Sequence, residues 1–386
     1  MAAPGPPSAG GKGYQVRLYN QILGLAEHHE ITLLTFTQTR EVDREIIAAC
    51  KKVIAVPWSV RTGALAALTH SPRLPLSVGL YRHRSMAAGV RSEVAGGSHE
   101  LVQLVMVRMA PYLTETAGAP AVLDLLDAAE LNMRERARAA APGVRRLLEI
   151  EARRLGAYER AAIQRATLSL LISQRDRSYL GDPPTARVLP NGIEPQTLEN
   201  NSAERDPGTM IFSGTMSYFP NADAARWFAT EILPLVRAAV PSAVFRVVGR
   251  EPVQTVKDLG SLPGITVTGA VPDVAEELAR AAVSMCPMRF GSGMQTKILE
   301  AMAVGTPVVA TSMGMEGIPE DLHRYIHRAD SPPAFAGEVA RILKHPGPAL
   351  ELARDGLAAI RREHTWRHSV DQLEAFYEEA IAAARQ

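Results

Sequence analysis

The sequence has few of the residues that mark extracellular, zinc-binding or nucleic-acid-binding proteins. Its 386 residues include only two cysteines, Cys50 and Cys286, which are far apart and form no CxxC pair. We therefore expect no disulfide framework and no zinc site, and both thiols are expected in the core of a cytosolic protein. Aromatic residues make up 5% of the chain and are not interleaved with basic ones, which argues against nucleic-acid binding.

Long apolar runs are also lacking. No run in the sequence approaches the roughly 20 apolar residues that a membrane-spanning helix requires. Residues 1–11, rich in Pro, Gly and Ala, have no charged region followed by an apolar one, so we do not expect a secretory signal. The predicted location is cytoplasmic. The length suffices for two domains, and 46% hydrophobic with 22% charged residues is typical of a globular protein.

Charge of either sign is unevenly distributed along the chain. The net charge is +1, but residues 1–195 carry 24 Lys and Arg against 18 Asp and Glu, whereas the remainder carries 18 against 23. Much of the basic excess lies in residues 61–91 and 134–165. These arginines are interpreted either as solvated helix faces or as a basic surface for an anionic acceptor or an anionic membrane leaflet.

Apolar strand-like runs alternate with helix-like segments, and each strand ends in Gly, Pro or a polar turn. This alternation predicts α/β domains with parallel sheets, whose ligands bind at the carboxyl ends of the strands. In the second half, strands are predicted at 209–213, 243–248, 265–268, 283–286 and 307–310. Helices are predicted there at 221–239, 273–281, 295–304, 332–344 and 349–362.

The first half is less regular. Strands are predicted at 31–36, 53–57, 101–107, 121–126 and 167–173, although 100–113 also fits a helix; helices are predicted at 14–27 and 143–164. Residues 1–10 are expected to be flexible. The predicted domains are 1–193 and 209–364, joined by a linker at 194–208 within a hinge at 191–208, and an amphipathic helix ends the chain within 365–386.

A glycine-rich segment before the predicted helix 295–304 has the composition of an anion site. Small residues and a lysine at a helix start supply free backbone N–H groups, the positive end of the helix dipole and a cation. Lys297 is the predicted cation and Arg289 a second one. The alternative is a simple glycine turn with a surface lysine. The other predicted contacts of this segment are Ser292, Gly293, Met294, Gln295 and Thr296.

Five motifs, each at the end of a predicted strand or in the loop or helix that follows one, resemble one known family. They are FSGTM at 212–216, PN at 220–221, VGR at 248–250, GAVPD at 269–273 and KILEAMAVGTPVV at 297–309. They resemble the retaining glycosyltransferases with two Rossmann-like domains facing a cleft (GT-B), family 4 in particular. More narrowly, they are similar to a bacterial branch associated with exopolysaccharide assembly. The resemblance implies that the last helix crosses back to the first domain.

The resemblance also implies a nucleotide-diphosphate sugar as co-substrate, with UDP more usual than GDP. Glu300 would contact the donor ribose, and Ser292 stands where the family often has a second glutamate. Around the nucleotide, the resemblance places Gly214, Thr215, Met216, Gly249, Arg250 and the backbone of Val271. Asp273 is interpreted as a helix N-cap or a ligand contact.

In the first domain, Gly11 and Gly13 would approach the donor phosphate. The family has a strand before this glycine loop, and that strand is predicted to be missing here. Asp127 follows the predicted strand 121–126 where the family usually has a histidine, and it is the first candidate for the catalytic carboxylate. It is alternatively the N-cap of the next helix. Asp124 is the rival carboxylate, and no DxD metal motif occurs in a suitable loop, so we expect no metal.

Together these patterns predict a glycosyltransferase of the hexosyltransferase type, acting with retention. The acceptor is a saccharide, a lipid-linked saccharide or a natural product, and the basic N-terminal half is a candidate surface for peripheral contact with an anionic inner membrane. The alternatives are a non-catalytic sugar-nucleotide-binding protein or another GT-B enzyme, such as a sugar-nucleotide epimerase.

Overall fold

The chain divides into two compact units in a computed structural model that describes residues 1–11, 13–39, 41–70, 73–97, 99–138, 140–193, 204–291 and 293–385. Unit 1 comprises Met1–Asn191 and Trp366–Gln386, and unit 2 comprises Gly192–Thr365. Most of the predicted linker, residues 194–203, lies outside the described residues. Each unit has its own parallel sheet and its own hydrophobic core.

Unit 1 contains, within the described residues, a seven-stranded parallel sheet in the order β3-β2-β1-β4-β5-β6-β7. The strands are β1 (Ala2–Ala3), β2 (Thr32–Thr37), β3 (Lys52–Pro57), β4 (Val102–Val105), β5 (Ala121–Leu126), β6 (Leu168–Leu171) and β7 (Ala186–Val188). The helices are α1 (Gly13–Leu25), α2 (Arg44–Ala49), α3 (Val60–His70), α4 (Leu76–Gly79), α5 (Arg84–Ala95), α6 (Ala129–Arg138), α7 (Pro142–Arg165) and α8 (Gln174–Tyr179), with a 3₁₀ helix at Val107–Glu115.

The first strand is present, so the prediction that it is missing was wrong. Ala2 and Ala3 are buried and pair in parallel with Leu34 and Thr35 of β2, and Ala2 also pairs with Leu104 of β4. The start of the chain is therefore part of the sheet and not the flexible segment expected from its composition. Two alanines are too short a run to show strand periodicity, but their small side chains fit the centre of a sheet covered on both faces.

Unit 2 contains, in the part of the chain described, a six-stranded parallel sheet in the order β10-β9-β8-β11-β12-β13. The strands are β8 (Asp206–Ser213), β9 (Val244–Val248), β10 (Ile265–Gly269), β11 (Ala281–Cys286), β12 (Val308–Ala310) and β13 (His327–Arg328). The helices are α9 (Phe219–Trp227), α10 (Leu233–Ala239), α11 (Gln254–Lys257), α12 (Val274–Arg280), α13 (Thr296–Ala303), α14 (Ser312–Met315), α15 (Pro332–Lys344) and α16 (Pro346–Glu363). Short 3₁₀ helices lie at Asp258–Ser261 and Glu320–Tyr325, and α17 (Trp366–Ala384) returns to unit 1.

In both sheets, the order in which strands are added changes side at the first strand. The chain builds outward on one side from β1 or β8, and then continues on the other side with β4 or β11. In open parallel sheets, ligands bind at the carboxyl ends of the strands at such a reversal. The topology therefore predicts ligand binding by the segments that follow β1 and β4 in unit 1, and β8 and β11 in unit 2.

Several boundaries differ from the sequence prediction for identifiable reasons. The segment predicted as a strand at 101–107 is a strand only to Val105, and a 3₁₀ helix follows from Val107. The helix predicted at 221–239 is interrupted by a π-helical turn at Phe228–Ile232, before a segment that contains Pro234. Proline has no amide hydrogen to continue the helical ladder, which explains the break. The two-residue strand β13 was not predicted.

Helix α17 packs on unit 1, as the GT-B resemblance implied. Ser369 Oγ donates a hydrogen bond to the carbonyl of Pro190 at 2.9 Å, and the Tyr377 hydroxyl donates to Gln103 on β4. Arg187 forms an ion pair with Glu379. Among the described residues, no helix combines the length and apolar composition needed to cross a lipid bilayer.

Asp124, one of the two predicted catalytic carboxylates, lies in the core of unit 1. Its carboxylate is fully buried and accepts from Arg17 Nε at 2.9 Å and from Gln21 at 3.1 Å. Arg17 is itself buried and also donates to the carbonyl of Leu189 and to Asn191, each at 2.9 Å. A fully buried and paired carboxylate cannot reach a substrate. Asp124 therefore holds β5, α1 and the end of unit 1 together.

We expect Tyr377→Phe to loosen the attachment of α17. The substitution leaves the buried amide of Gln103 with an unmade hydrogen bond, which costs about 1–3 kcal/mol of stability. The measurement is the thermal midpoint, together with the rate of proteolysis near residue 366. Tyr325→Phe, at a half-buried tyrosine of unit 2, is the control for loss of a hydroxyl; an equal effect from both would argue against a special role for Tyr377.

Candidate functional site

Two glycines bring the ends of β8 and β9 into close contact in unit 2. Gly214 has φ 148° and Gly249 has φ 149°, which side chains rarely tolerate. A Cβ at Gly249 would overlap the carbonyl oxygen of Gly214, and a Cβ at Gly214 would lie 2.7 Å from Asn221 Nδ2. Glycine at both positions therefore leaves the backbone at these strand ends free of side chains, as an approaching ligand requires.

The ammonium group of Lys297 lies close to the end of β8, with its Nζ 3.3 Å from the position that a Cβ at Gly214 would take. Lys297 is only 8% exposed, and its Nζ donates to Asn221 Oδ1 at 2.6 Å and lies 4.5 Å from the ring centroid of Phe212. Its hydrogen-bond partner is a neutral amide, so this contact leaves the positive charge uncompensated. Burial lowers the pKa of Lys297, while Cys286 and Glu300 act in the opposite direction. A ligand anion here would restore the compensation that the ammonium has lost.

The start of α13 adds to the positive character of this region. Lys297 is the second residue of this eight-residue helix, and none of the described side chains caps its N-terminus. The amides of Thr296 and Ile298 already donate to the carbonyls of Met294 and Gln295, so it is the helix dipole that favours an anion at this end. Glu300 follows one turn later, and burial raises the pKa of its carboxyl. The predicted contacts Gly293, Met294, Gln295 and Thr296 lead into the helix, whereas Ser292 lies outside the described residues.

Arg250 and Thr215 join the site, but Arg289 is already paired. Arg250 Nε donates to Thr215 Oγ1 at 3.4 Å, across the loops after β9 and β8. Arg289 forms a bidentate ion pair with Asp223, with Nε–Oδ2 at 3.0 Å and Nη2–Oδ1 at 2.6 Å. The prediction that Arg289 supplies a second free cation is thus wrong in this structure, because Asp223 neutralises it.

Three other residues of unit 2, namely Met216, Val271 and Asp273, were candidate nucleotide contacts in the sequence, and they differ in burial and in hydrogen bonding. The Met216 side chain is fully buried in the core, and its amide donates to the carbonyl of Arg250 at 2.9 Å, so neither is available for a ligand. Val271 is half-buried against the same core. Asp273 accepts from the amide of Ala275 at 2.8 Å, which confirms the interpretation as an N-cap of α12.

In unit 1, Asp127 stands directly after β5 and does not cap the next helix. The amide of Ala128 donates to Asp176 at 3.0 Å, and the amide of Ala129 donates to Glu159 at 2.9 Å. The capping alternative for Asp127 is therefore wrong, because Asp176 and Glu159 accept the hydrogen bonds of the amides at the start of α6. Leu126, just before it, has φ 67°, an unusual conformation for a leucine that turns the chain sharply at the strand end.

The carboxyl of Asp127 is suited to accept a proton near neutral pH. Burial, and after it the charge of the neighbouring Asp176, raise its pKa to about 6 against the opposing effects of Asn132 and Arg108. A carboxylate whose pKa is near the working pH is an effective general base. Glu159, whose pKa burial raises to about 8, is fully buried beneath the start of α6 and cannot serve this role.

An aromatic and cationic group beside Asp127 was missed in the sequence. Arg108 lies over the Tyr81 ring at 5.3 Å, and Tyr81 stacks on Trp58 with centroids 5.3 Å apart and planes 5° apart. Among the described residues, Arg108 has no ion-pair partner. Met106, at the end of β4, has φ 69° and turns the chain toward Arg108. The position of Arg108 just after a predicted strand was the available signal.

Gly11 and Gly13 flank the start of α1, after β1. Gly13 is the first residue of α1, and the amide of Gly11 donates to the carbonyl of Ser8 at 3.2 Å. They therefore lie on the carboxyl side of the central strand, where the topology predicts ligand binding.

Elsewhere, in the described part of unit 2, Asp321, Glu363 and His364 bring three possible metal ligands within 4.8 Å of one another. His364 already pairs with Asp321, so this group alone identifies no metal.

The comparison with protein families matches unit 2. Residues 207–345 match the family described as Glycosyl transferases group 1. This stretch contains every residue of unit 2 that forms the positive site. The match is confined to unit 2, where these residues resemble a group 1 glycosyltransferase domain.

Individual proteins are similar to larger parts of the chain. A curated protein named D-inositol 3-phosphate glycosyltransferase, from Acidothermus cellulolyticus, is 25% identical over 229 residues, which cover 54% of this chain and 51% of the relative. The match thus spans about half the length of that relative. Sucrose-phosphate synthase from Thermosynechococcus elongatus matches the fold with a TM-score of 0.66 at 16% identity, over 99% of both chains. Anabaena HepE in complex with UDP matches with a TM-score of 0.63 at 13% identity, over 98% of this chain and 100% of that one.

The fold is that of the GT-B glycosyltransferases, with two Rossmann-like α/β domains. The predicted fold class is confirmed. At these identities the solved structures establish the fold alone, because one fold hosts many chemistries.

Proposed function

We propose that the protein is a glycosyltransferase that moves a sugar from a nucleotide-diphosphate sugar to an acceptor hydroxyl. The observation that carries this proposal is the buried ammonium of Lys297, 2.6 Å from a neutral partner at an uncapped helix start. Departure of a nucleoside diphosphate places negative charge on its phosphate oxygens. Lys297 and the positive end of the α13 dipole are suited to stabilise that charge as it develops, without a metal.

The donor is proposed to be a UDP-sugar. This choice rests on the solved complex of Anabaena HepE with UDP, a protein of the same fold. Glu300, three residues after Lys297, is proposed to accept from the ribose hydroxyls, and the loops of Gly214 and Gly249 to admit the diphosphate. Transfer with retention of configuration is likewise proposed from the family resemblance of these loops.

Unit 1 is proposed to bind the acceptor. Asp127 would accept the proton of the attacking hydroxyl, and the Tyr81–Trp58 stack would offer an apolar face to a sugar ring, with Arg108 beside it. Gly11 and Gly13 would approach the phosphate of the donor. The proposed acceptor is a saccharide, free or lipid-linked, or a natural product, at a cytoplasmic location that includes the inner membrane surface.

Calorimetric titration with UDP, GDP and ADP and their common sugars tests this proposal. Binding of one nucleotide, followed by slow hydrolysis of its sugar derivative, would support a working donor site. Binding without any turnover, even with sugar acceptors, would favour the non-catalytic alternative. Absence of binding to all three nucleotides would reject the donor site itself.

Lys297→Met is expected to weaken UDP binding by about 1.5–3 kcal/mol, or roughly 10- to 150-fold. Methionine fills the same buried space without the charge. Removing a desolvated ammonium stabilises the fold, and the unmade hydrogen bond of Asn221 offsets this, so the thermal midpoint should change little. Lys257→Met, at an exposed lysine of α11, is the matched control and should leave UDP binding unchanged. Equal affinity in wild type and Lys297→Met would place the anion site elsewhere.

A further inference from the structure

Unit 1 gathers its exposed apolar side chains on three neighbouring helices. Among the described residues, eight large apolar side chains of unit 1 are exposed, and seven of these lie on α3, α4 and α7. The seven are Val60, Leu65 and Leu68 of α3, Leu76 of α4, and Val144, Leu147 and Ile150 of α7. Such concentration on one part of a surface indicates an interaction site.

The outer side of α3 is both apolar and basic. Gly63 and Ala67 face inward, because a Cβ at Gly63 would lie 3.0 Å from the carbonyl of Leu80, and Ala67 Cα lies 3.2 Å from the Cβ position of Gly79. Arg61, Leu65 and Leu68 are spaced by four and three residues on the opposite side. The two leucines are 65% and 72% exposed.

The start of α7 repeats this arrangement. Residues 141–147 are all exposed, and Leu147 is 69% exposed. Arg146, Ile150 and Arg153 follow one another at spacings of four and three residues, so they share one side of the helix.

Helix α4 joins the two helices into one surface. The Ser77 amide and hydroxyl donate to Glu151 of α7, and Arg154 donates to the carbonyl of Leu74 at 2.6 Å. Leu76 is therefore beside α7, while α4 packs on α3 through Gly79. We name the exposed apolar residues of these helices, together with Arg61, Arg73, Arg146 and Arg153, the apolar–basic face.

The charge of the four arginines on this face favours an anionic partner. Among the described residues, none of them has an ion-pair partner. Arg82 and Arg91, in the same region of the sequence, pair with Glu115 and are not counted in this face. A second copy of the chain, apposed through the same face, would bring unpaired like charges together. An anionic lipid surface takes both components, because aliphatic side chains enter the interface while arginines meet the headgroups.

We infer that the apolar–basic face docks on an anionic lipid bilayer. The biological role of this docking rests on the proposed function, since a lipid-linked acceptor would be presented at the bilayer surface. Leu65, Leu68 and Ile150 would enter the headgroup boundary. Arg61, Arg146 and Arg153 would contact the lipid phosphates.

The test is co-sedimentation of the full chain with vesicles of phosphatidylcholine, with and without phosphatidylglycerol, at low and high salt. We expect binding only to the anionic vesicles, weakened by salt because the charges are exposed. Leu65→Gln with Leu68→Gln should weaken it roughly tenfold. Arg61→Gln with Arg146→Gln should weaken it about fivefold for each arginine replaced.

The control is Leu235→Gln with Leu262→Gln, at two exposed leucines of unit 2, which should bind vesicles like wild type. Equal binding to neutral and anionic vesicles, or unchanged binding by both face variants, would overturn the inference. Self-association in solution that the Leu65 and Leu68 changes abolish would assign the face to a second copy instead. Thermal midpoints and UDP titration of each variant show whether it is folded, and vesicle binding needs neither nucleotide nor transfer, so the two proposals fail separately.

Discussion

Replacing Asp127 by Asn is expected to lower the rate of sugar transfer by about 100- to 10,000-fold, the range for loss of a general base. The amide keeps the size and position of the side chain but cannot accept a proton. UDP binding should be unchanged, since unit 2 carries that site. The measurement is kcat/KM for transfer, or for slow hydrolysis of the donor, beside a UDP titration.

The pH profile gives this prediction a second readout. The pKa of Asp127 is raised to about 6, so wild-type activity should fall as the pH drops through 6 and the carboxylate becomes protonated. The Asp127→Asn substitution should remove that limb. Because the folded pKa lies above the usual value of 3.8, the folded state holds the proton more tightly than the unfolded state. This contribution to stability is present below pH 3.8 and is lost as the pH rises through 6, so Asp127→Asn should be more stable than wild type at pH 8.

Asp43→Asn is the matched control for this variant. Asp43 is an exposed carboxylate of unit 1 that caps α2 by accepting from the amide of Glu45 at 3.1 Å, and asparagine caps equally well. Its activity and pH profile should match wild type. Full activity in Asp127→Asn would show that another group takes the proton. If the activity of this variant still fell as the pH drops through 6, the pH dependence would belong to a group other than Asp127.

Gly249→Ala is expected to destabilise unit 2 by about 2–6 kcal/mol, from a strained φ together with a steric overlap. Gly249 has φ 149°, and the added Cβ would meet the backbone carbonyl of Gly214, which cannot rotate away like a side chain. The ends of β8 and β9 would have to separate. UDP binding should therefore fall together with the thermal midpoint.

The control is Gly337→Ala, in the interior of α15, where nothing lies within 4 Å of the added Cβ. Alanine has the higher helix propensity there, so this variant should be more stable than wild type by about 0.5–1 kcal/mol. A wild-type midpoint and wild-type UDP affinity for Gly249→Ala would contradict the close approach of the two strand ends.

The positions of the strands and the main glycine loop were predictable because they depend on local chemistry. Apolar runs that end in glycine predict buried parallel strands, and Gly291, Gly293 and Lys297 before an apolar helix predict an anion site whatever their surroundings. The helix Pro332–Lys344 was predicted with its bounds. By contrast, the buried central strand Ala2–Ala3 has no periodicity to detect, and its existence depends on its neighbours in the sheet.

The sequence by itself determined the fold class, the two-unit alternation of strands and helices, and the residue types at the strand ends. Only the tertiary structure decided which charged groups are free, because pairing joins residues far apart in the chain. It paired Arg289 with Asp223 and Arg17 with Asp124, and it gave the cap of α6 to Asp176 and Glu159, which leaves Asp127 available. Burial has the same long-range origin, so the pKa of a carboxyl and the exposure of a leucine follow from packing that no local pattern contains.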